Sequence, residues 1–481
     1  MHTKQKSLKI NFTLNTTRLI LNLVIPLITF PYIARVLGPE CLGKVEFANS
    51  IVSYFAIFAA LGIPTYGVRE IARIRDNKDD LSHSVAEISV ILTVSVLVCY
   101  FFYFLLILCV PKFHTQMILF LIVAPNVLLQ AYNYEWFYKG IEDQLYITTR
   151  FILMKFLQIV SIFLFVKNQS DYYIYAIIYV TLNGVSTVFY LIRLKKYVNF
   201  VKFRELNIKR HIKPILIIFS ASLATTIYMH LDVTMIGIFV NDTSVGLYST
   251  ANKLIRIVIS LVTSLASVMV PRLAYNFANN QMETYRKNLY ISFNFILLIG
   301  VPCIFGLIAL STPLVILFAG NQYIEASFTM KLLSPVILIV GLSYFIGLQV
   351  LYTNRKEKIY TIAVSISALL NFLCNIIFIP IFKHNGAVIG TLIAELSGVI
   401  VMTILGKSYL KGLNILSWKE LGYIISSVLM FLVLIFVNKI FHLNIFILLV
   451  IGCFVYFSIL VIWMIIIGLR LSDIRKMLKE K

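Results

Sequence analysis

Fourteen long apolar runs leave this chain almost no choice of solvent. They cover roughly residues 12–36, 45–68, 84–110, 115–138, 144–167, 172–195, 214–240, 245–271, 286–311, 327–352, 357–381, 385–406, 418–441 and 444–469. A hydrocarbon layer about 30 Å thick is crossed by about 20 helical residues, because each adds about 1.5 Å. Inside that layer every backbone amide must find a partner within its own segment, so each run is expected to be a helix. The balance of residues agrees: 60% are apolar, 13% are charged, and mean hydropathy is +0.90. A soluble fold of 481 residues could not bury so much apolar surface. The expected fold is an all-α integral membrane protein of about fourteen transmembrane helices. The basic N-terminal stretch MHTKQKSLKI is followed by no small-residue cleavage site, so the first run reads as a retained helix.

Charge then sets direction. Of 42 Lys and Arg residues, 30 fall on one side of this layout, six on the other and six inside helices. The rich side holds Lys4, Lys6, Lys9, Arg69, Arg73, Arg75, Lys78, Arg193, Lys195, Lys196, Lys202, Arg204, Lys209, Arg210, Arg286, Lys287, Arg355, Lys356, Lys358, Arg475 and Lys476 among others. The poor side holds Lys44, Lys112, Lys167, Lys331, Lys383 and Lys439. Cationic loops stay cytoplasmic, so both termini are expected there. The net charge of +21 is spread over short loops rather than gathered on one soluble face, which excludes a nucleic-acid binder. The longest polar connection, KKYVNFVKFRELNIKRHIK at 195–213, reads either as a linker or as a segment lying on anionic lipid. The six cysteines form no C-x-x-C pair and no cluster with histidine, so neither disulfide nor metal site is expected, and no cofactor.

The chain also matches itself. Gly43, Ala48, Asn49 and Arg69 recur as Gly246, Ala251, Asn252 and Arg272, all 203 residues on. Tyr146 and Gly184-Val185 recur as Tyr360 and Gly398-Val399 at an offset of 214. Two six-helix units of even helix number run in the same direction, a parallel repeat. The expected division is a first lobe at 1–197, a cytoplasmic linker at 198–213, a second lobe at 214–410, and two additional helices with a basic tail at 411–481.

Polar residues inside apolar helices are costly, about 2.5–3.5 kcal/mol for a lipid-facing cation at mid-depth, and therefore informative. Asn11, Asn15, Arg18 and Asn22 are spaced 4, 3 and 4 and share one helix face. That face lines a wet passage for an anion, or else Arg18 reaches back to the surface along its alkyl stem. Arg35, near the far end of the same helix, admits the same two readings. Lys253 and Arg256 are deeper, and Ser260, Thr263 and Ser267 continue their face. Arg150 and Lys155 point about 140° apart, so one stripe cannot hold both. Asp232 and Glu395 either pair with these cations or bind a coupling proton or sodium ion. Arg69 and Arg272, at cytoplasmic helix ends, are set by topology or act as gating residues. The aromatic stretch YNYEWFY at 132–138 reads as a cytoplasmic interfacial belt.

Two segments carry a family resemblance. FPYIARVLGPECLGKVEFANSIVSYFAIFAALGIPTYGVREIAR, residues 30–73, resembles the N-terminal signature of Wzx-type polysaccharide-lipid flippases of the MOP superfamily. The match rests on Pro31, Arg35, Leu37-Gly38, Gly43, Phe47-Ala48, Gly62, Gly67 and Arg69. NFLCNIIFIPIFKHNGAVIGTLIAE, residues 371–395, is similar through Asn371, Asn375, Pro380, Gly386, Gly390 and Glu395. The resemblance implies a MATE-like fold with two six-helix lobes about a cavity open alternately to either face. It implies a substrate of undecaprenyl-diphosphate-linked oligosaccharide, such as an O-antigen repeat unit, moved from cytoplasm to periplasm across a bacterial inner membrane. A polysaccharide polymerase and a chain-length regulator are then the expected protein partners, besides membrane lipids. Arg18, Asn22, Arg35, Lys253 and Arg256 become the candidate diphosphate and sugar contacts. Asp232, Glu395, Arg69 and Arg272 become candidates for coupling or gating. The alternatives are a MATE-type drug/cation antiporter, which would favour a carboxylate-rich cavity, and a lipid II-type flippase. No catalytic constellation and no Walker loop is present, so neither an enzyme nor direct use of ATP is expected.

Overall fold

The computed structural model describes residues 8–411, 418–441 and 443–467. Lys4, Lys6, Arg475 and Lys476, counted above for topology, lie outside them, as does most of the basic tail. The side chain of Lys9 is likewise outside the description.

By packing, the chain forms two compact units, Met1–Gly246 and Leu247–Lys481. The first contains α1 (Leu8–Ala60), α2 (Ile63–Ile74), α3 (Lys78–Cys109), α4 (Pro111–Thr115), α5 (Met117–Val123), α6 (Pro125–Ala131), α7 (Glu135–Gly140), α8 (Gln144–Phe165), α9 (Tyr172–Leu194) and α10 (Lys209–Phe239). Helix α11 (Asp242–Ala278) begins in the first unit and continues into the second. The second unit adds α12 (Met282–Ala319), α13 (Ala326–Leu333), α14 (Val336–Tyr344), a π-helical stretch at Phe345–Tyr352, α15 (Glu357–Phe382), α16 (His384–Leu405), α17 (Lys407–Leu410), α18 (Trp418–Phe441) and α19 (Ile445–Ile466). The unit boundary follows Gly246 rather than the 198–213 connection, because α10 packs on α1 and α2.

Among the described residues twelve helical stretches are long and apolar enough to cross a membrane. The first, Thr13–Ile74, is 62 residues long and accommodates the first two expected crossings. Its break is local: Gly38 sits at φ 70° and ψ 171°, outside the helical region, and Pro39 follows. Proline disfavours a helical residue before it, and glycine accepts the positive φ. A shorter apolar helix, Thr226–Phe239, stands at the seventh expected crossing. The helical layout therefore accommodates about fourteen crossings of a multi-pass membrane protein.

Two crossings are less regular than their hydropathy suggested. The fourth is a staircase of α5, α6 and α7, because Pro125 starts α6 and Asn133 accepts from the Glu135 amide at 3.3 Å where α7 starts. The tenth ends in the π-helix, whose wider turn directs fully buried Gln349 to the Ala266 carbonyl at 3.0 Å and the Ser292 hydroxyl at 2.7 Å. Such widened turns recur at functional positions.

Within the first unit α1 and the start of α11 approach backbone to backbone. A Cβ on Gly43 would overlap the Asp242 carbonyl oxygen, and a Cβ on Gly246 would overlap that of Pro39. The contact is reciprocal: residues 39 and 43 are related to 242 and 246 by the sequence offset of 203 noted above. Only glycine permits the approach from either side.

Candidate anion-binding site

The first unit gathers charge around one carboxylate. Glu135 opens α7, and Lys139 stands one turn later, its Nζ 2.9 Å from Glu135 Oε1. Arg18 from α1 reaches the same oxygen at 2.6 Å and is steadied by Asn15 at 3.1 Å. Arg150 from α8 lies 3.9 Å from Glu135 Oε2. It also donates to the Tyr190 hydroxyl at 2.6 Å, with its guanidinium 3.9 Å from the centroid of that ring. Tyr190 on α9 donates to Glu135 Oε2 at 3.4 Å. Tyr138 fixes Tyr190 in turn, stacking at 5.0 Å and bonding to its carbonyl at 2.7 Å.

Three cations thus face one anion, an excess of two positive charges in a largely desolvated place. The side chain of Arg150 is 8% exposed, that of Arg18 12% and that of Glu135 23%, while Lys139 at 38% reaches the edge. Like charges about 4 Å apart repel by about 4 kcal/mol at an effective dielectric near 20. Glu135 offsets part of that repulsion. A further sign that the pocket is incomplete is Arg150 Nε, which is buried and has no hydrogen-bond partner among the described residues. Buried donors are ordinarily bonded, so this one is available to an acceptor that enters. The arrangement can bind a compact dianion with bidentate guanidinium contacts.

The site takes in one sequence candidate, Arg18, and the others lie outside this cluster. Arg18 is an inward member, paired rather than reaching back to the surface. Asn22, four residues on, is exposed. Arg35 is exposed on α1 but not without a partner. Arg69 is exposed, with Tyr66 beneath its guanidinium at 6.0 Å, and Arg272 is exposed. In the second unit Lys253 is half-buried and engaged, while Arg256 is exposed. The hydroxyls of Ser260, Thr263 and Ser267 all bond back to carbonyls of α11 itself, so that stripe is self-satisfied. Asp232 and Glu395 are half-buried and engaged. Lys155 turns away from Arg150, as its angle on the helix required, and bonds to Gln158 at 2.9 Å.

Glu135 and Lys139 were missed. Their stretch reads as an interfacial belt, yet Tyr134, Trp136, Phe137 and Tyr138 are all buried, so the belt reading is corrected. Trp136 packs where a side chain at Gly67 would stand. The available signal was the acid itself: a carboxylate amid aromatics needs a cation.

A second cluster ties down the connection before α10. Glu87 on α3 accepts from the Asn207 amide at 2.7 Å and pairs with Arg210 at 2.6 Å. His211 is fully buried between Glu87 Oε2, 2.7 Å from its Nε2, and the Tyr66 hydroxyl, 2.5 Å from its Nδ1. A neutral ring protonated at Nε2 donates to Glu87 and accepts from Tyr66, satisfying both. Burial holds the imidazole below the usual histidine range, against the pull of Glu87. A depressed folded-state value contributes stability above the ordinary pKa of about 6.5, lost as pH falls. The melting temperature is therefore expected to drop between about pH 7 and pH 5, and more steeply than in His211→Gln. Equal slopes would remove His211 from the account.

The second unit holds a different kind of site. Between α11, α12, α18 and α19 runs a cavity of about 330 Å³, lined by apolar groups including Val258, Pro302, Gly306, Leu434, Gly452 and Phe457. Its wall is the core in which Leu310, Tyr423, Met430, Leu448, Tyr456 and Leu460 pack. Tyr456 spends its hydroxyl on the Leu298 carbonyl at 2.9 Å, so the wall stays apolar there.

The fold resembles that of solved MurJ and MATE-family structures. A solved "Lipid II flippase MurJ, inward closed conformation" superposes with a TM-score of 0.71 at 18% identity, covering 95% of this chain and 98% of that one. An inward-facing "multidrug resistance MATE family transporter of the MOP superfamily" gives 0.62 at 13% identity, covering 85% and 99%. In sequence, a "Putative O-antigen transporter" of Escherichia coli strain K12 is 24% identical over 78% of this chain and 90% of its own length. The family model described as "Polysaccharide biosynthesis protein" matches residues 8–277, more than half of the chain, and that described as "Lipid II flippase MurJ" matches 147–457. The chain belongs to the polysaccharide biosynthesis protein family.

Proposed function

We propose that this protein is a flippase for a lipid-linked glycan, carrying an undecaprenyl-diphosphate-linked oligosaccharide from the cytoplasmic to the periplasmic leaflet of the inner membrane. The observation that carries the reading is the excess of two positive charges at Arg18, Lys139, Arg150 and Glu135. A diphosphate diester has two negative charges and acceptor oxygens for the idle Arg150 Nε. Taken by itself, the apolar cavity of the second unit, about 330 Å³, suits a short stretch of prenyl chain. Lys253, Arg256, Arg35 and Asn22 serve as contacts to the same headgroup at other stages. Passage is by alternating exposure to the two faces, without direct use of ATP. Asp232 and Glu395 are the carboxylates assigned to a coupling proton or sodium ion, and Arg69 and Arg272 to gating. Both termini are cytoplasmic.

The test is transport in proteoliposomes loaded with a fluorescent undecaprenyl-diphosphate oligosaccharide, read by quenching from the outer face. Wild type should expose the inner pool, and Arg18→Ala should lose that activity about 100-fold, a loss of two charge-assisted bonds. Wild-type flipping no faster than in protein-free liposomes, or ethidium transport in its place, would overturn the assignment.

A further inference from the structure

The connection between α9 and α10 is held at two points and bare between them. At one end the Asn199 amide donates to Ser82 at 2.8 Å. At the other Asn207, Arg210 and His211 converge on Glu87. Both anchors are on α3, so residues 200–206 are a fixed span. Two phenylalanines stand on it, Phe200 96% exposed and Phe203 71% exposed. A tethered segment has no reason to hold two aromatic rings in water. At the level of lipid headgroups the same rings would be buried in the interface.

The charge around them is one-sided. Residues 195–213 contain seven cations and one acid, Glu205. Arg210 is taken by Glu87, and Lys195, Lys196, Lys202, Arg204, Lys209 and Lys213 are all exposed. Below them α10 presents Ile212, Leu216 and Ile217, 44%, 50% and 63% exposed, along an open groove that Lys209, Lys213 and Ser220 also line. Lys213 precedes Ile217 by four residues, one helical turn, so the ammonium is about 5 to 6 Å further toward the helix start than the alkyl group. Cation above, alkyl below is the inverse image of an anionic phospholipid: phosphate above, acyl chain below.

We infer that residues 195–217 form a seat for anionic phospholipid of the surrounding leaflet, with Phe200 and Phe203 inserted and Lys202, Arg204, Lys209 and Lys213 at the phosphates. Charge selects an anion, and the exposed rings and alkyl stripe select a lipid over an acidic soluble protein. The seat is independent of the transport site, sharing no residue with the Glu135 cluster, and it fixes the start of α10 to the membrane surface.

The experiment is hydrogen exchange on the full chain in nanodiscs of phosphatidylcholine alone or with phosphatidylglycerol added. Amides of 200–206 should exchange about tenfold more slowly with phosphatidylglycerol. That protection should vanish in Lys202→Gln/Arg204→Gln and shrink in Phe200→Ser/Phe203→Ser, all surface changes that leave the Glu87 anchor intact. Equal exchange in the two lipids, whether slow or fast, overturns the seat. So does protection reproduced in phosphatidylcholine discs by soluble glycerol phosphate or by an acidic peptide.

Discussion

Alanine at Gly43 is expected to cost about 3–5 kcal/mol and to open the packed end where α1 meets α11. The new methyl group would overlap the Asp242 carbonyl oxygen, a backbone atom that no rotamer change can move aside. The helices must therefore part. Gly246→Ala should act alike, because its Cβ meets the Pro39 carbonyl in the mirrored half of the same contact. Independent sites add, but these two break one contact, so the double variant should be markedly less destabilised than the sum of the singles. Thermal melting of the purified protein reads the first effect. Alkylation of Cys41, half-exposed two residues from Gly43, reads the second and should quicken in each variant with the other cysteines replaced. Full additivity, or alkylation at the wild-type rate, would mean that the two glycines are not one contact.

Removing the lone acid of the charge cluster should have the second large effect. Glu135→Gln leaves Arg18, Lys139 and Arg150 facing one another with no anion between them. Breaking a fully buried pair costs about 3–5 kcal/mol, and the partial exposure of this site lowers the expectation to about 2 kcal/mol. The loss should be conditional. Inorganic pyrophosphate should restore most of it in Glu135→Gln, because ligand that binds only the folded state stabilises in proportion to its occupancy. In Arg150→Gln the pattern differs: Arg18 and Lys139 stay paired with Glu135 and the excess falls to one positive charge, so melting should change little, while pyrophosphate no longer stabilises. Pyrophosphate that stabilises Arg150→Gln as strongly as wild type would place the anion elsewhere.

Much of the architecture was legible because hydrocarbon acts on residues one at a time. A run of about 20 apolar residues crosses a membrane whatever its neighbours do. Arg18 was legible for the same reason, since a cation six residues inside such a run demands an explanation. Its partner was not. Glu135 stands at a helix start among aromatics, where interfacial placement explains it as well, and Arg150 and Tyr190 share no periodicity with it. The tether of 195–213 was hidden because Glu87 lies more than 100 residues upstream.

The amino-acid sequence alone determined the solvent, the number of helical crossings, the one-sided distribution of the charges and the glycines at matched offsets. These follow from transfer energies and from local steric limits, which need no tertiary contacts. Packing decided which cation meets which carboxylate, that Gly43 and Gly246 meet each other's helices, and that the aromatic stretch turns inward. Such outcomes depend on distances between residues far apart in the chain, and only the folded backbone sets those distances.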